Sequence, residues 1–196
     1  MLTHFSIFKG MRNPLQFIIC FFLTYGLVAS VNGQNFLSAS GKVIVNEAQD
    51  TVLLRGMGLG GWMLQEGYML QTAGFANSQR KIRAEIEALI GEADTDLFYE
   101  AWYANHMRQA DVEALKSWGF NAVRLPMHYN LFTLPIEDEP VPGEHTWLDK
   151  GFEMTDSLIS WCAQNEMYVI LDLHAAPGGQ GYDEGISDYD PSKPSL

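Results

Sequence analysis

Cysteine is nearly absent from this 196-residue chain, which has only Cys20 and Cys162. On the reading below, residues 1–33 are removed and Cys162 stands alone, which excludes an intrachain disulfide and a cysteine-based metal site. Bases are scarce as well: 12 Lys and Arg face 24 Asp and Glu, a formal net charge of −12. Residues 1–33 hold two bases, Lys9 and Arg12, and no acid, so the remainder carries ten bases against 24 acids, a net of −14. So acidic a surface repels nucleic acid and anionic membranes, and neither is expected as a partner, while neutral ligands stay open. No apolar run reaches the roughly 20 residues that span a bilayer. Internal repeats and low-complexity tracts are missing too.

The longest apolar run, "FIICFFLTYGLVAS", follows Lys9 and Arg12 and runs out into small residues at Val31 and Gly33. A basic start, a short greasy core and a small-residue exit are the parts of a secretory signal peptide, with cleavage expected after Gly33. Cys20 lies in the middle of the run, not at its end, which argues against a lipid-modified cysteine. The expectation is a signal peptide over 1–33 and a secreted product (extracellular, periplasmic or cell-surface) over 34–196, with no membrane insertion after cleavage. At 47% hydrophobic and 12% aromatic, the rest has the composition of an ordinary packed domain.

Lys42–Val45 and Thr51–Leu54 are β-rich runs flanking a polar turn, which predicts a small hairpin leading into a first buried strand. "SQRKIRAEIEALI" predicts a helix with Ile82, Ile86 and Leu89 on one face and Gly91 as its stop. A second helical stretch runs from about Thr95 to Trp118 with a break, and Gly119 is placed as its left-handed end with Phe120 folding back. "NAVRLPMHY" reads as a short strand closed by Pro126, and "LPIEDEPVPGEH" as a surface loop. A helix from Leu148 to near Glu166 carries Phe152, Ile159 and Cys162 at helical spacing. "MYVILDLH" is a continuous apolar run of the kind buried on both faces. Strands of that type alternating with helices indicate a parallel α/β sheet.

Chemistry concentrates at the ends of these strands. Side chains alternate along a strand, so Ile170, Asp172 and His174 share one face and deliver polar groups to its C-terminal end. In parallel α/β folds ligands bind at that end. Arg124 stands near the end of an otherwise apolar strand, and a guanidinium there needs a carboxylate from another strand to offset its desolvation.

These residues carry a resemblance. "LRGMGLGGWMLQEGYM", "WGFNAVRLPMHY" and "YVILDLHAAPGGQ" are similar to the first three strand-end motifs of glycoside hydrolase family 5, the cellulase and exo-β-1,3-glucanase family. The likeness covers most of residues 41–182, and its "LGGW…E-x-Y-M" segment leans to the exo-β-1,3-glucanase side. It implies a (β/α)8 TIM barrel, of which about three strands can be counted here. A complete barrel takes about 250 residues. It further implies retaining hydrolysis of β-linked glucans by two glutamates about 5–5.5 Å apart, with no metal or organic cofactor.

In the family those glutamates follow strands four and seven. The pairs Asn46-Glu47 and Asn165-Glu166 sit in a turn and at a helix end and are not counterparts, so both catalytic carboxylates are expected beyond Leu196. Residues 34–196 alone are accordingly expected to be inactive and poorly folded, with sheet edges unpaired. The resemblance assigns Arg124 the support of the nucleophile carboxylate. It makes His174 and Glu66 contacts to the sugar beside the scissile bond. Gly58 stands where family members often carry Asn.

Other readings compete. Trp62 could stack on a sugar, though a large apolar side chain after Gly-Gly also suits the core. Asp172 reads as a hydrogen-bonded residue inside the barrel, His128 as a surface or supporting position. Tyr182, Asp183, Glu184, Asp188 and Asp190 read as a solvated loop without EF-hand spacing. Gly56, Gly58 and Gly61 spell a dinucleotide-binding G-x-G-x-x-G, but no helix pattern starts on the third glycine and no acid ends the next strand, so a barrel lip is expected. A non-catalytic carbohydrate-binding barrel is the main alternative. A metal-dependent hydrolase built on Asp172 and His174 is weaker, lacking a second histidine two residues away.

Overall fold

The computed structural model describes residues 36–193; the expected signal peptide lies outside them. Strands β1 (Ser38–Ser40) and β2 (Val43–Val45) pair antiparallel. The chain reverses at Gly41, whose φ of 61° favours glycine. The hairpin therefore falls one segment earlier than expected. Thr51 joins Val45 by a single antiparallel bridge. The segment beyond it is drawn away by Asn121, whose side chain accepts from the Arg55 N–H at 2.7 Å and donates to the Leu53 carbonyl at 2.9 Å. Leu53 is consequently exposed, and the first sheet strand is β3 (Gly56–Gly58) rather than "TVLL".

Strand β3 pairs parallel with β4 (Ala122–His128), which pairs parallel with β5 (Tyr168–Ala175), giving a sheet in the order β3-β4-β5. Pro126 does not close β4 but lies inside it. The Arg124 carbonyl accepts from Leu59, so alternate positions face the β3 side, and at Pro126 that strand has already ended. No ladder partner there requires an N–H.

Between β3 and β4 run α1 (Gly67–Leu70), α2 (Gln79–Ile90), α3 (Glu92–His106) and α4 (Gln109–Ser117). The expected break falls at Met107–Arg108, both extended, where the Asp111 carboxylate accepts the Arg108 N–H at 2.9 Å. Gly119 (φ 90°) ends the run and Phe120 donates back to the Leu115 carbonyl, as the sequence implied. In α2, Ile82 is buried but Leu89 is 83% exposed, because Gly91 (φ 82°) turns the chain straight into α3 and leaves the last turn of α2 protruding.

Helix α5 (Asp149–Gln164) joins β4 to β5. It buries Gly151, Met154, Thr155, Leu158 and Cys162, while Phe152 and Ile159 face outward, so the packed stripe is rotated from the expected one. Gly151 sets that rotation: a Cβ there would sit 2.6 Å from the Leu131 carbonyl oxygen, so only glycine lets the first turn come so near the β4 exit. Val123 and Leu125 of β4 meet Val112, Leu115, Met154, Leu158 and Cys162 in one core. Burial pushes the Cys162 thiol up to about 11, far from the range of a nucleophilic thiolate. Ile170, Leu171 and Leu173 of β5 are about half exposed, since β5 is the edge strand of the sheet among the described residues and pairs only with β4.

Candidate functional site

Odd-numbered residues of β4 enter the helix-covered core, which leaves Arg124 on the opposite face of the sheet. Pro126 is opposite Asp172 across the β4–β5 ladder, and the register slips after Met127, so that Leu173 faces Met127 but Ala175 faces His128. His174 is the extra residue of this bulge. A bulge re-aims a side chain, and here it turns the imidazole towards Arg124. Gln180 holds the bulge: its amide donates to the His174 carbonyl and its oxygen accepts the Ala176 N–H at 2.9 Å.

Arg124 Nη2 donates to Asp172 Oδ2, and His174 Nδ1 lies 2.9 Å from the same oxygen and 3.0 Å from Nη2. The carboxylate that Arg124 requires thus comes from the neighbouring strand. Glu66 enters from the β3 side. It precedes α1 and is only 6% exposed, with Oε1 3.9 Å from His174 Nε2. The next residue, Gly67, is packed so tightly that a Cβ would lie 2.6 Å from the Ala76 carbonyl oxygen. That contact fixes the backbone that carries Glu66. Arg124, His174 and Glu66, three residues from separate segments, thus meet at one end of the sheet.

Burial raises the Glu66 pKa above the usual carboxylate range, with His174 and Arg124 opposing the shift and Asp183 adding to it. A carboxyl that holds its proton to higher pH when folded favours folding below its ordinary value of 4.5 and loses that advantage as pH rises through the raised one. Glu66→Gln mimics the protonated form. Thermal unfolding is therefore expected to show the variant melting above the wild type at about pH 7, with the difference vanishing by about pH 4. An equal difference at both pH values would contradict the burial argument.

The glycine-rich lip is pinned from both sides. Trp62 is 2% exposed and its indole N–H donates to the Tyr103 carbonyl at 2.9 Å; the Trp102 indole donates to the Gly61 carbonyl at 2.9 Å. Trp62 is therefore a core residue and not a sugar-stacking platform. No helix begins at Gly61; the next one, α1, starts six residues on and is four residues long. The Gly-rich stretch is a lip, without the helix N-terminus that a pyrophosphate site requires.

The other flank was read only in part. His128 is 3% exposed, which excludes the surface position and leaves the supporting one. Its Nδ1 accepts from the Asn130 N–H, which leaves Nε2–H to donate to Asp188 Oδ2 at 3.1 Å. The acidic loop is not free in solvent either. Glu184 pairs with Arg80 and Lys81, while Asp188 and Asp190 approach Arg80. Asp183 caps the short helix α6 (Glu184–Ser187). This clasp ties the loop after β5 to the start of α2, and the sequence signal for it was the close pair Arg80-Lys81 set against four acids. Among the described residues, no group of three or more His, Cys, Asp or Glu is arranged to hold a metal ion, and no helix is long and apolar enough to cross a membrane.

Comparison with known proteins gives a consistent picture. The family model described as Cellulase (glycosyl hydrolase family 5) matches residues 79–194. A β-xylosidase of Phanerodontia chrysosporium is 36% identical over 148 residues, covering 76% of this chain and 29% of its own length. A glucan 1,3-β-glucosidase of Candida oleophila is 31% identical over 144 residues, covering 69% of this chain and 32% of its own. A probable glucan endo-1,6-β-glucosidase B of Aspergillus fumigatus is 25% identical over 156 residues, covering 78% and 36%. The chain thus spans about a third of the length of these relatives.

Proposed function

This chain belongs to glycosyl hydrolase family 5, the cellulase family, and from that premise we propose that its protein is a secreted glycosidase cleaving β-linked glucans with retention of configuration. Three relatives act, by name, on a β-xyloside, a β-1,3-glucan and a β-1,6-glucan, which supports a β-linked sugar substrate. The observation that carries the reading is the meeting of Arg124, His174 and Glu66, which offers one guanidinium and several acceptors to a hydroxyl-rich ligand. Residues 1–33 serve as the secretory leader in this proposal, and residues 34–196 form the first part of the catalytic barrel.

Retention requires two carboxyl groups about 5–5.5 Å apart, one as acid/base and one as nucleophile. Asp172 is already engaged by Arg124 and His174, and Glu66 sits in the lip before α1, so we assign the reacting pair to strands other than β3, β4 and β5. Residues 34–196 by themselves are then inactive. What they supply is the grip on the sugar and, through Arg124, a positive charge that keeps the nucleophile ionised.

The test is to incubate the full-length protein with linear β-1,3-, β-1,4- and β-1,6-glucans and follow the first product by proton NMR. Release of a β-anomer from at least one of them is the expected result. An α-anomer would overturn retention. Binding of the sugars without hydrolysis would favour a non-catalytic carbohydrate-binding barrel.

A further inference from the structure

We infer that Asp172 is a positioning residue that keeps the proton of neutral His174 on Nδ1, so that a bare Nε2 faces Glu66 and the pair presents hydrogen-bond acceptors to ligand hydroxyls. The nature of the ligand rests on the glycosidase reading; the position of the proton does not.

The argument starts from three polar atoms in one corner. Arg124 Nη2, His174 Nδ1 and Asp172 Oδ2 are mutually close, with Nδ1 2.9 Å from the oxygen and 3.0 Å from Nη2. Two proton arrangements are conceivable. If Nδ1 were bare it could accept from Arg124, but its lone pair would then point at a carboxylate oxygen 2.9 Å away, two acceptors in contact. If Nδ1 carries the proton, both it and Nη2 donate to Oδ2. A carboxylate oxygen has lone pairs for two donors, and 3.0 Å is an ordinary spacing for two nitrogens converging on one acceptor. Chemistry agrees with geometry, since the Arg124 guanidinium can only donate and Asp172 Oδ2 is the oxygen it donates to. The second arrangement is the stable one.

With Nδ1–H committed to Asp172, neutral His174 has a lone pair on Nε2. The 3.9 Å gap to Glu66 Oε1 is too long for a direct hydrogen bond. A ligand that approaches these two atoms from beside them must bring donors, as a sugar hydroxyl does and an ether or carbonyl oxygen does not. Neither Asp172 nor His174 is free to drift: Arg124 anchors the first, and Gln180 fixes the backbone bulge beneath the second. The partner on one ring nitrogen decides what the other can do.

The test uses full-length protein labelled with 15N-histidine and long-range proton–nitrogen correlation at alkaline pH, where imidazole is neutral. The expected spectrum shows His174 with a protonated Nδ1 and a bare Nε2. Asp172→Asn keeps an acceptor oxygen and retains that form. Asp172→Ala removes it, Arg124 then donates to Nδ1, and the ring passes to the Nε2–H form. An Nε2–H ring in the wild type, or an unchanged ring in Asp172→Ala, overturns the inference. Should the alanine variant fail to fold, the wild-type and asparagine spectra still decide. Adding a β-linked gluco-oligosaccharide separates the two readings, because a shift of bare Nε2 supports the sugar. An Nδ1–H ring that no such oligosaccharide moves would uphold Asp172 and count against the glycosidase proposal.

Discussion

Leu158→Ala is expected to destabilise the protein by about 2–5 kcal/mol, while Ile159→Ala, one residue on, costs about 1 kcal/mol or less. Leu158 is 0% exposed, enclosed by the core that Val123, Leu125 and Val112 share with α5. Truncation there loses the transfer energy of the removed atoms and leaves a cavity between helix and sheet, two surfaces held apart by their other contacts. Ile159 is 42% exposed, and alanine is also the better helix former at that position. Denaturant unfolding with an unchanged m-value would measure both. Similar costs at the two positions would mean that α5 packs by another face.

The contrast also shows what could be read from the chain before its structure. A helix over this segment was legible from its periodicity, but Phe152, Ile159 and Cys162 make as regular a stripe as Met154, Leu158 and Cys162. Spacing alone does not choose between stripes that share a residue. The choice was made by Gly151, whose contact with the Leu131 carbonyl is long-range and invisible locally. Leu89 failed for a related reason: a helical face is buried only where another element crosses it.

The strand-end residues were easier. Alternation along a strand is a local rule, so Asp172 and His174 could be placed on one face of β5 and Arg124 near the end of β4. Their meeting on a common face depends on the pairing of the two strands. The bulge at His174 could not be placed, because it depends on pairing register between strands 40 residues apart in the chain. The clasp of His128, Asp188 and Arg80 was missed because each charge taken singly looks like a solvated one, and only the opposition of Arg80-Lys81 to the four acids of the later loop signals it.

If the proposed glucan is the substrate, Arg124→Met is expected to reduce kcat/KM of the full-length protein on it by about 10²–10³-fold, with a stability change of about 1 kcal/mol or less. The Arg124 side chain is 44% exposed on its own face of the sheet, so solvent screens its pair with Asp172 and little folding energy rests there. Its value in the proposed mechanism lies in the cleft, where it holds the nucleophile ionised and orders Asp172 and hence His174. Removing it frees Asp172 Oδ2 of one donor but leaves the His174 bond, so the site loosens without unfolding. Arg124→Lys is expected to recover only part of the activity, since an ammonium cannot reproduce a planar fork aimed at two partners. Steady-state kinetics beside thermal unfolding separate the two effects. Activity of the methionine variant within about threefold of wild type would remove Arg124 from the working site. A loss of activity matched by a large loss of stability would make it a structural ion pair instead.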